Sequence, residues 1–313
     1  MRLVTRSDFD GLACGALLKE AGLIDSYQFV HPKDIQDGLI QIGQNDILAN
    51  IPYATGAGMW FDHHTSEGER LGSISYRGMS RIAPSCARVI YDFLGGASRY
   101  SSHWDPMMEA VDKVDSANLS VKEIEYPTGW ILLGFLMDPR TGLGRFHDFR
   151  ISNYQLMEVL IEMCRTKTAE QILNEPDVQE RSTFYFNQAP LYANMIQSCS
   201  TLMGQVLIID FRQQDVIYPG NRFLPYTMFP DCKVSIHLTW ARDGDSVAMA
   251  MGNSIINRDS QANLGSIALH FGGGGHEAVA TCQIDANEVE STLKTIVDFI
   301  HEENGYIAPR VLG

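Results

Sequence analysis

Arg2-Leu3-Val4-Thr5-Arg6-Ser7-Asp8-Phe9-Asp10-Gly11-Leu12 decides how the N-terminal half of this chain is read. Four strand-forming residues run into a short polar turn, and the turn runs into residues 12–21, whose apolar positions recur at helical spacing. A strand leading straight into a helix is the repeating unit of a parallel sheet with crossover helices. Further β-rich runs at 27–30, 46–49 and 59–61 repeat the unit, so the expected fold class is α/β. In such sheets ligands collect in the crevice outside the carboxyl ends of the strands. Asp8 and Asp62 both fall at strand ends of this kind.

Beyond residue 84 the pattern turns helical, at 86–94, 106–114, 130–137, 154–165 and 177–199. Strand-like runs return at 206–211, 233–240 and 247–251, and a last helical pattern covers 289–302. At 313 residues the chain exceeds the size at which one hydrophobic core usually stops growing. Two domains are therefore expected, with a boundary in the region 188–204. The first, over 1–195, is a parallel-sheet α/β domain with a helical segment; the second, over 196–313, is a smaller C-terminal α/β domain, with a cleft between them.

A formal net charge of −14 opposes the tracking of long nucleic acid, which the protein's field would repel. Short anionic substrates meet less resistance, because single arginines such as Arg140 and Arg145 can clamp one or two phosphates. The six cysteines make no C-x-x-C pair and read as reduced core residues. The longest strongly apolar run, 130–137, is too short to span a bilayer, and Asp8 and Asp10 lie where a signal peptide would be apolar. A cytoplasmic protein with no membrane partner is expected.

Four constellations carry chemistry. Asp8 and Asp10, at i and i+2 on a strand-to-helix turn, can face a common cation, and Gly11 permits the tight turn; helix capping is the alternative. Asp62-His63-His64 follows an apolar strand and mixes oxygen with imidazole ligands, which suits manganese better than calcium. One histidine is enough for a metal; the other can meet a phosphate or protonate a leaving alkoxide. Asp112 and Asp115 share a helix face at i and i+3, with Asp115 expected to be the ligand and Asp112 part of a solvated face. Finally, Gly272-Gly273-Gly274-Gly275-His276 can form an anion-binding nest, or else a flexible loop, ahead of a return to strand at 277–281. The segment 137–145, with Pro139, Gly142 and Gly144 around Asp138, Arg140 and Arg145, reads either as a substrate-contacting turn or as an exposed loop held by Asp-Arg pairs.

Together these residues resemble the DHH phosphoesterase superfamily, over nearly the whole chain. Its first motif is similar to Asp8-Phe9-Asp10-Gly11, its name motif is Asp62-His63-His64, its fourth resembles Asp115-Ser116-Ala117-Asn118-Leu119, and its associated C-terminal domain carries a glycine-rich loop like Gly272 to His276. The resemblance implies a two-manganese site, with magnesium or cobalt as substitutes, and a metal-activated water as nucleophile. It makes Asp8, Asp10, His63 and Asp115 ligands, Asp62 a ligand or an orienting group, and His64 a contact to the scissile phosphate. Arg140, Gly273, Gly274, Gly275 and His276 become candidates for holding phosphate away from the metals.

Two positions depart from the family pattern. Val4 replaces a histidine common among relatives, and Asn50 stands where an aspartate usually bridges both metals. The amide carbonyl of Asn50 can still ligate metal but leaves one compensating charge fewer between two dications, so one tight and one weak metal site are expected. The activity implied is hydrolysis of a short phosphate-containing substrate: pAp, a short oligonucleotide, a cyclic dinucleotide or polyphosphate. A weakened relative that binds such a ligand without turnover is the alternative that Asn50 raises. A long nucleic acid is not expected as partner, and a homodimer is compatible with the resemblance.

Overall fold

The computed structural model describes residues 1–64, 74–146, 148–241 and 244–306. The chain divides into two compact units, Met1–Asn187 and Gln188–Gly313.

In the first unit, β1 (Arg2–Thr5), α1 (Phe9–Glu20), β2 (Ser26–Phe29), α2 (Pro32–Gln36), β3 (Asp46–Ala49), β4 (Met59–Asp62) and β5 (Gly78–Ser80) follow one another. The five strands form one all-parallel sheet in the order β2-β1-β3-β4-β5. β3 and β4 are buried along their whole length, as expected of strands covered on both faces, which read as continuous apolar runs. The register is what matters for function. Thr5 lies opposite Ala49, and Ala49 opposite Phe61, so the residues that follow these three strands leave the sheet at one edge. Asp8, Asn50 and the Asp62-His63-His64 run are thereby gathered from well-separated stretches of sequence.

Helices supply the rest of this unit: α3 (Cys86–Phe93), α4 (Asp105–Asp115), α5 (Val121–Glu125), α6 (Gly129–Met137), α7 (Asn153–Cys164), α8 (Ala169–Leu173) and the first half of α9 (Pro176–Cys199), whose later residues belong to the second unit. Helix α1 is buried from Phe9 to Leu18 and packs against α3, α4, α6 and α7. Side-chain caps fix where several helices start. Ser120 with Glu123, Ser152 with Gln155 and Thr168 with Gln171 each form a reciprocal capping box, satisfying two otherwise unpaired amides per helix.

The second unit contains β6 (Ser200–Met203), β7 (Val206–Asp210), α10 (Leu224–Met228), β8 (Val234–Trp240), β9 (Ser246–Asn253), α11 (Leu264–His270), β10 (Gly274–His276), β11 (Val279–Asp285) and α12 (Val289–Glu303). Its sheet runs β10-β11-β9-β8-β7-β6 and is antiparallel except for the β7–β8 pair. Val234, Ile236, Leu238, Val247, Met249 and Met251 form its core with Ile267, Val289, Ile296 and Ile300 from the helices.

The glycine run differs from the expected loop. Gly272 makes the turn at φ 74°, and Gly274–His276 then form an edge strand on β11. A Cβ at Gly273 would lie 2.3 Å from the Thr281 carbonyl, and one at Gly275 2.3 Å from that of Val279. These glycines are required by close backbone approach as well as by any ligand. Segment 137–145 forms two short 3-10 turns, Pro139–Thr141 and Leu143–Arg145, on either side of Gly142.

Candidate metal centre

Asp8 and Asp10 divide the two roles between them. Asp8 caps α1: its Oδ1 accepts the Gly11 amide at 2.9 Å. Gly11 has no alternative here, since a Cβ would sit 2.1 Å from the Arg6 carbonyl oxygen. Asp10 turns inward, 2% exposed, and takes the first amides of α3, Ala87 N on Oδ1 at 2.7 Å and Cys86 N on Oδ2 at 2.9 Å. A helix N-terminus is an anion site by virtue of its unpaired amides and its dipole. Even so, burial and the nearby Asp8 charge push the Asp10 carboxyl up to about 7 against the pull of those amides.

Helix α3 is itself anchored. Fully buried Ser85 caps it by accepting the Arg88 amide, and its hydroxyl donates to Asp112 Oδ1 at 2.7 Å. Arg88 donates to Asp112 Oδ2 through Nε at 2.9 Å and Nη2 at 2.7 Å. Asp112 is therefore not the solvated face expected from sequence: it ties α4 to the helix end that holds Asp10.

His63 and Asp115 complete a cluster with Asp10. The ligand atoms of the three lie within 4.8 Å of one another. Nε2 of His63 is 3.2 Å from Asp115 Oδ2 and 3.8 Å from Asp10 Oδ2, yet it is buried and has no hydrogen-bond partner among the described residues. Its other nitrogen, Nδ1, meets the Ala83 carbonyl at 3.2 Å, and only a protonated Nδ1 can donate to that oxygen. That contact fixes the ring with Nε2 turned toward the carboxylates, which is how metal-binding imidazoles are oriented. Asp115, last residue of α4, has its carboxyl pushed up to about 7 by burial and then by the Asp10 charge, with His63 pulling the other way. Two acids poised near neutrality beside an unpartnered imidazole nitrogen fit a divalent cation, whose charge would relieve both shifts.

The remaining residues surround this cluster in different ways. Asp62, fully buried at the end of β4, spends its carboxylate on His64: Oδ1 on the ring Nδ1 at 2.9 Å and Oδ2 on the backbone amide at 3.1 Å. Burial opposes the charged form of His64, but the Asp62 hydrogen bond and charge, with Asp115 and Asp10 further off, raise its pKa overall. Its ring centroid lies 4.2 Å from that of His63. Asn50, 2% exposed at φ 56°, donates from Nδ2 to Asp8 Oδ1 at 3.1 Å. Arg140 lines the small cavity over Asp8, Asp10 and Asp115, and its Nε donates to buried Asp138 at 2.7 Å. Burial would lower the Arg140 pKa, but Asp138, with Asp8 and Asp115, outweighs it. Farther along, Arg150 pairs with Asp177 through two hydrogen bonds of 2.7 Å, the Asp-Arg pairing of a held loop. Gly273 to His276 stand on the second unit, as described above.

Sequence reasoning missed Ala83, Ser85, Arg88 and Arg6, whose Nε lies 3.2 Å from Asp8 Oδ2. A serine directly before the helical pattern at 86–94 was the available signal for α3 as an anion-holding helix end.

No family model matches the chain, and no curated protein does. Among solved structures, the pGpG-specific phosphodiesterase PggH from Vibrio cholerae is 44% identical, with 96% of this chain and 99% of that one covered at a TM-score of 0.83. An exopolyphosphatase-related protein from Bacteroides fragilis is 11% identical at a TM-score of 0.50, covering 97% of this chain and 92% of that one. RecJ from Thermus thermophilus, solved with Mn2+, is 10% identical at a TM-score of 0.51, covering 96% of this chain and 52% of that one. These last two share the fold. The class is an α/β phosphohydrolase with its acid-imidazole cluster at the carboxyl edge of a parallel sheet. The chain belongs to the DHH superfamily of phosphoesterases.

Proposed function

We propose that this phosphoesterase is a divalent-metal-dependent phosphodiesterase acting on short linear dinucleotides of the pGpG kind. The observation that carries the metal dependence is the buried Nε2 of His63, which faces the Asp10 and Asp115 carboxyls and has no hydrogen-bond partner among the described residues. Asp10, His63 and Asp115 would hold the cation. Bound there, it supplies a water acidic enough to attack at neutral pH and a Lewis acid for the phosphoryl oxygens. Manganese is the preferred ion, since carboxylate and imidazole ligands together suit it, with magnesium or cobalt as substitutes.

The chain's own residues do the rest. The α3 amides hold Asp10 in place, and the Ala83 carbonyl fixes the His63 tautomer. Asp62 orients His64 through Nδ1 and favours its protonated form, from which a proton can be delivered to the departing 3′ oxygen. Arg140 offers a fixed positive charge to a phosphate oxygen beside the cluster. Gly273, Gly274, Gly275 and His276, on the second unit, are candidates for holding phosphate by the family resemblance. Two observations support the choice of a dinucleotide among short phosphate substrates: the 44% identity to a pGpG-specific phosphodiesterase across both chains, and the net charge of −14, which disfavours long polyanions.

The test is hydrolysis of pGpG, pAp, a cyclic dinucleotide and polyphosphate, each with manganese, magnesium or cobalt, with products separated by chromatography. The proposal expects GMP from pGpG at a rate well above any other release. Binding without turnover is the second reading, motivated by Asn50. A substrate that raises the melting temperature yet is recovered intact with every metal would favour it.

A further inference from the structure

Three protein donors converge on the Asp8 carboxylate. Oδ1 accepts the Gly11 amide at 2.9 Å and Asn50 Nδ2 at 3.1 Å, and Oδ2 faces Arg6 Nε at 3.2 Å. The group is 6% exposed, and Asn50 is 2% exposed. An ionised carboxylate only accepts hydrogen bonds, so the Asn50 amide must turn its nitrogen toward it. Asn50 also holds a left-handed backbone conformation, which asparagine and aspartate adopt more readily than most residues. His63 differs: its buried Nε2 faces two carboxylates but makes no hydrogen bond among the described residues, whereas Asp8 has a donor for each oxygen and a second on Oδ1.

We propose that the centre is mononuclear, with Asp10, His63 and Asp115 holding one divalent cation, while Arg6 and Asn50 supply at Asp8 the positive charge and the donor that a second cation would otherwise provide. The inference rests on the reading that the cluster binds metal at all. A second dication on Asp8 would have to displace the Arg6 guanidinium or share Oδ2 with it, placing two positive groups within a few ångströms of each other. Asp8 is then a positioning residue: it caps α1 and so fixes the approach of Asp10, two residues on. Aspartate at position 50 would reverse the balance, because two buried carboxylates in contact repel unless a proton or a cation lies between them, and a divalent ion would then compete for that place.

Metal-free protein titrated with Mn2+ by calorimetry, with bound manganese counted by elemental analysis after desalting, tests this in the wild type, Asp8→Asn, Asn50→Asp and Asp115→Asn. The readout is binding, so it does not depend on turnover. The proposal expects one manganese per chain in the wild type. Asp8→Asn keeps the capping acceptor for Gly11 and should retain that one manganese, at an affinity within about tenfold of wild type. Asp115→Asn should lose about a hundredfold or more in affinity, as expected on removing a direct ligand. Asn50→Asp should gain a second manganese. Two manganese per wild-type chain, or the loss of all binding in Asp8→Asn, overturns the mononuclear centre and leaves the metal reading standing. No manganese in the wild type overturns both.

Discussion

Asp115→Asn should make the metal-free protein more stable while costing it its metal. Burial and the Asp10 charge push the Asp115 carboxyl from 3.8 up to about 7, so the folded chain holds a proton that the unfolded chain releases. Between these values the native state binds more protons, and stability therefore falls as pH rises, at about 1.4 kcal/mol per pH unit. Across the roughly three units the loss is about 4 kcal/mol, complete above pH 7 and absent below the unfolded value. Partial exposure of the side chain and relaxation around it reduce the expected gain of the variant to about 2–4 kcal/mol at pH 8. Urea unfolding in EDTA at pH 8 and pH 5 measures it. The variant should be more stable than wild type at pH 8, with the gain falling to about 1 kcal/mol at pH 5, and added manganese should stabilise the wild type alone. Equal stability at pH 8 in EDTA would refute the reasoning, because it would mean that Asp115 carries no burial penalty for a cation to relieve.

Metal affinity should be pH-dependent for the same reason: protons compete at both Asp10 and Asp115, each raised to about 7. Manganese binding by calorimetry is expected to be about tenfold to a hundredfold weaker at pH 6 than at pH 8. Asp112→Ala should lower stability by about 2 kcal/mol, since it leaves Ser85 and Arg88 without their shared acceptor. It should also weaken manganese binding, because the end of α3 that holds Asp10 loosens; unchanged binding in a folded Asp112→Ala protein would show that the α3–α4 tie does not position the site.

Much of the first unit's sheet was legible because β3 and β4 are buried along their length and carry the apolar runs 47–49 and 59–61, each followed by a polar residue, while β1 offers Leu3 and Val4. Parallel register then does what sequence distance hides, lining up Thr5, Ala49 and Phe61 so that Asp8, Asn50 and His63 follow from one edge. β5 escaped notice: it is three half-buried residues with no apolar alternation. So did β10, whose glycines carry no side-chain pattern to read. At the site, the residue types were visible but their division of labour was not. Asp112 and Asp115 look alike at i and i+3, and only Ser85 and Arg88, brought in by α3, assign the first to structure. The partners of Asp10 and of His63 Nδ1 are backbone amides and a carbonyl, groups that no sequence motif marks.

Manganese-dependent cleavage of pGpG tests the central claim most directly: wild type and His63→Ala are incubated with pGpG, with manganese or with EDTA, and GMP is measured by chromatography. The account predicts two GMP per pGpG from the wild type with manganese, none with EDTA, and a rate lower by about a thousandfold in folded His63→Ala. Cleavage at the wild-type rate in EDTA, or by His63→Ala with manganese, would contradict it.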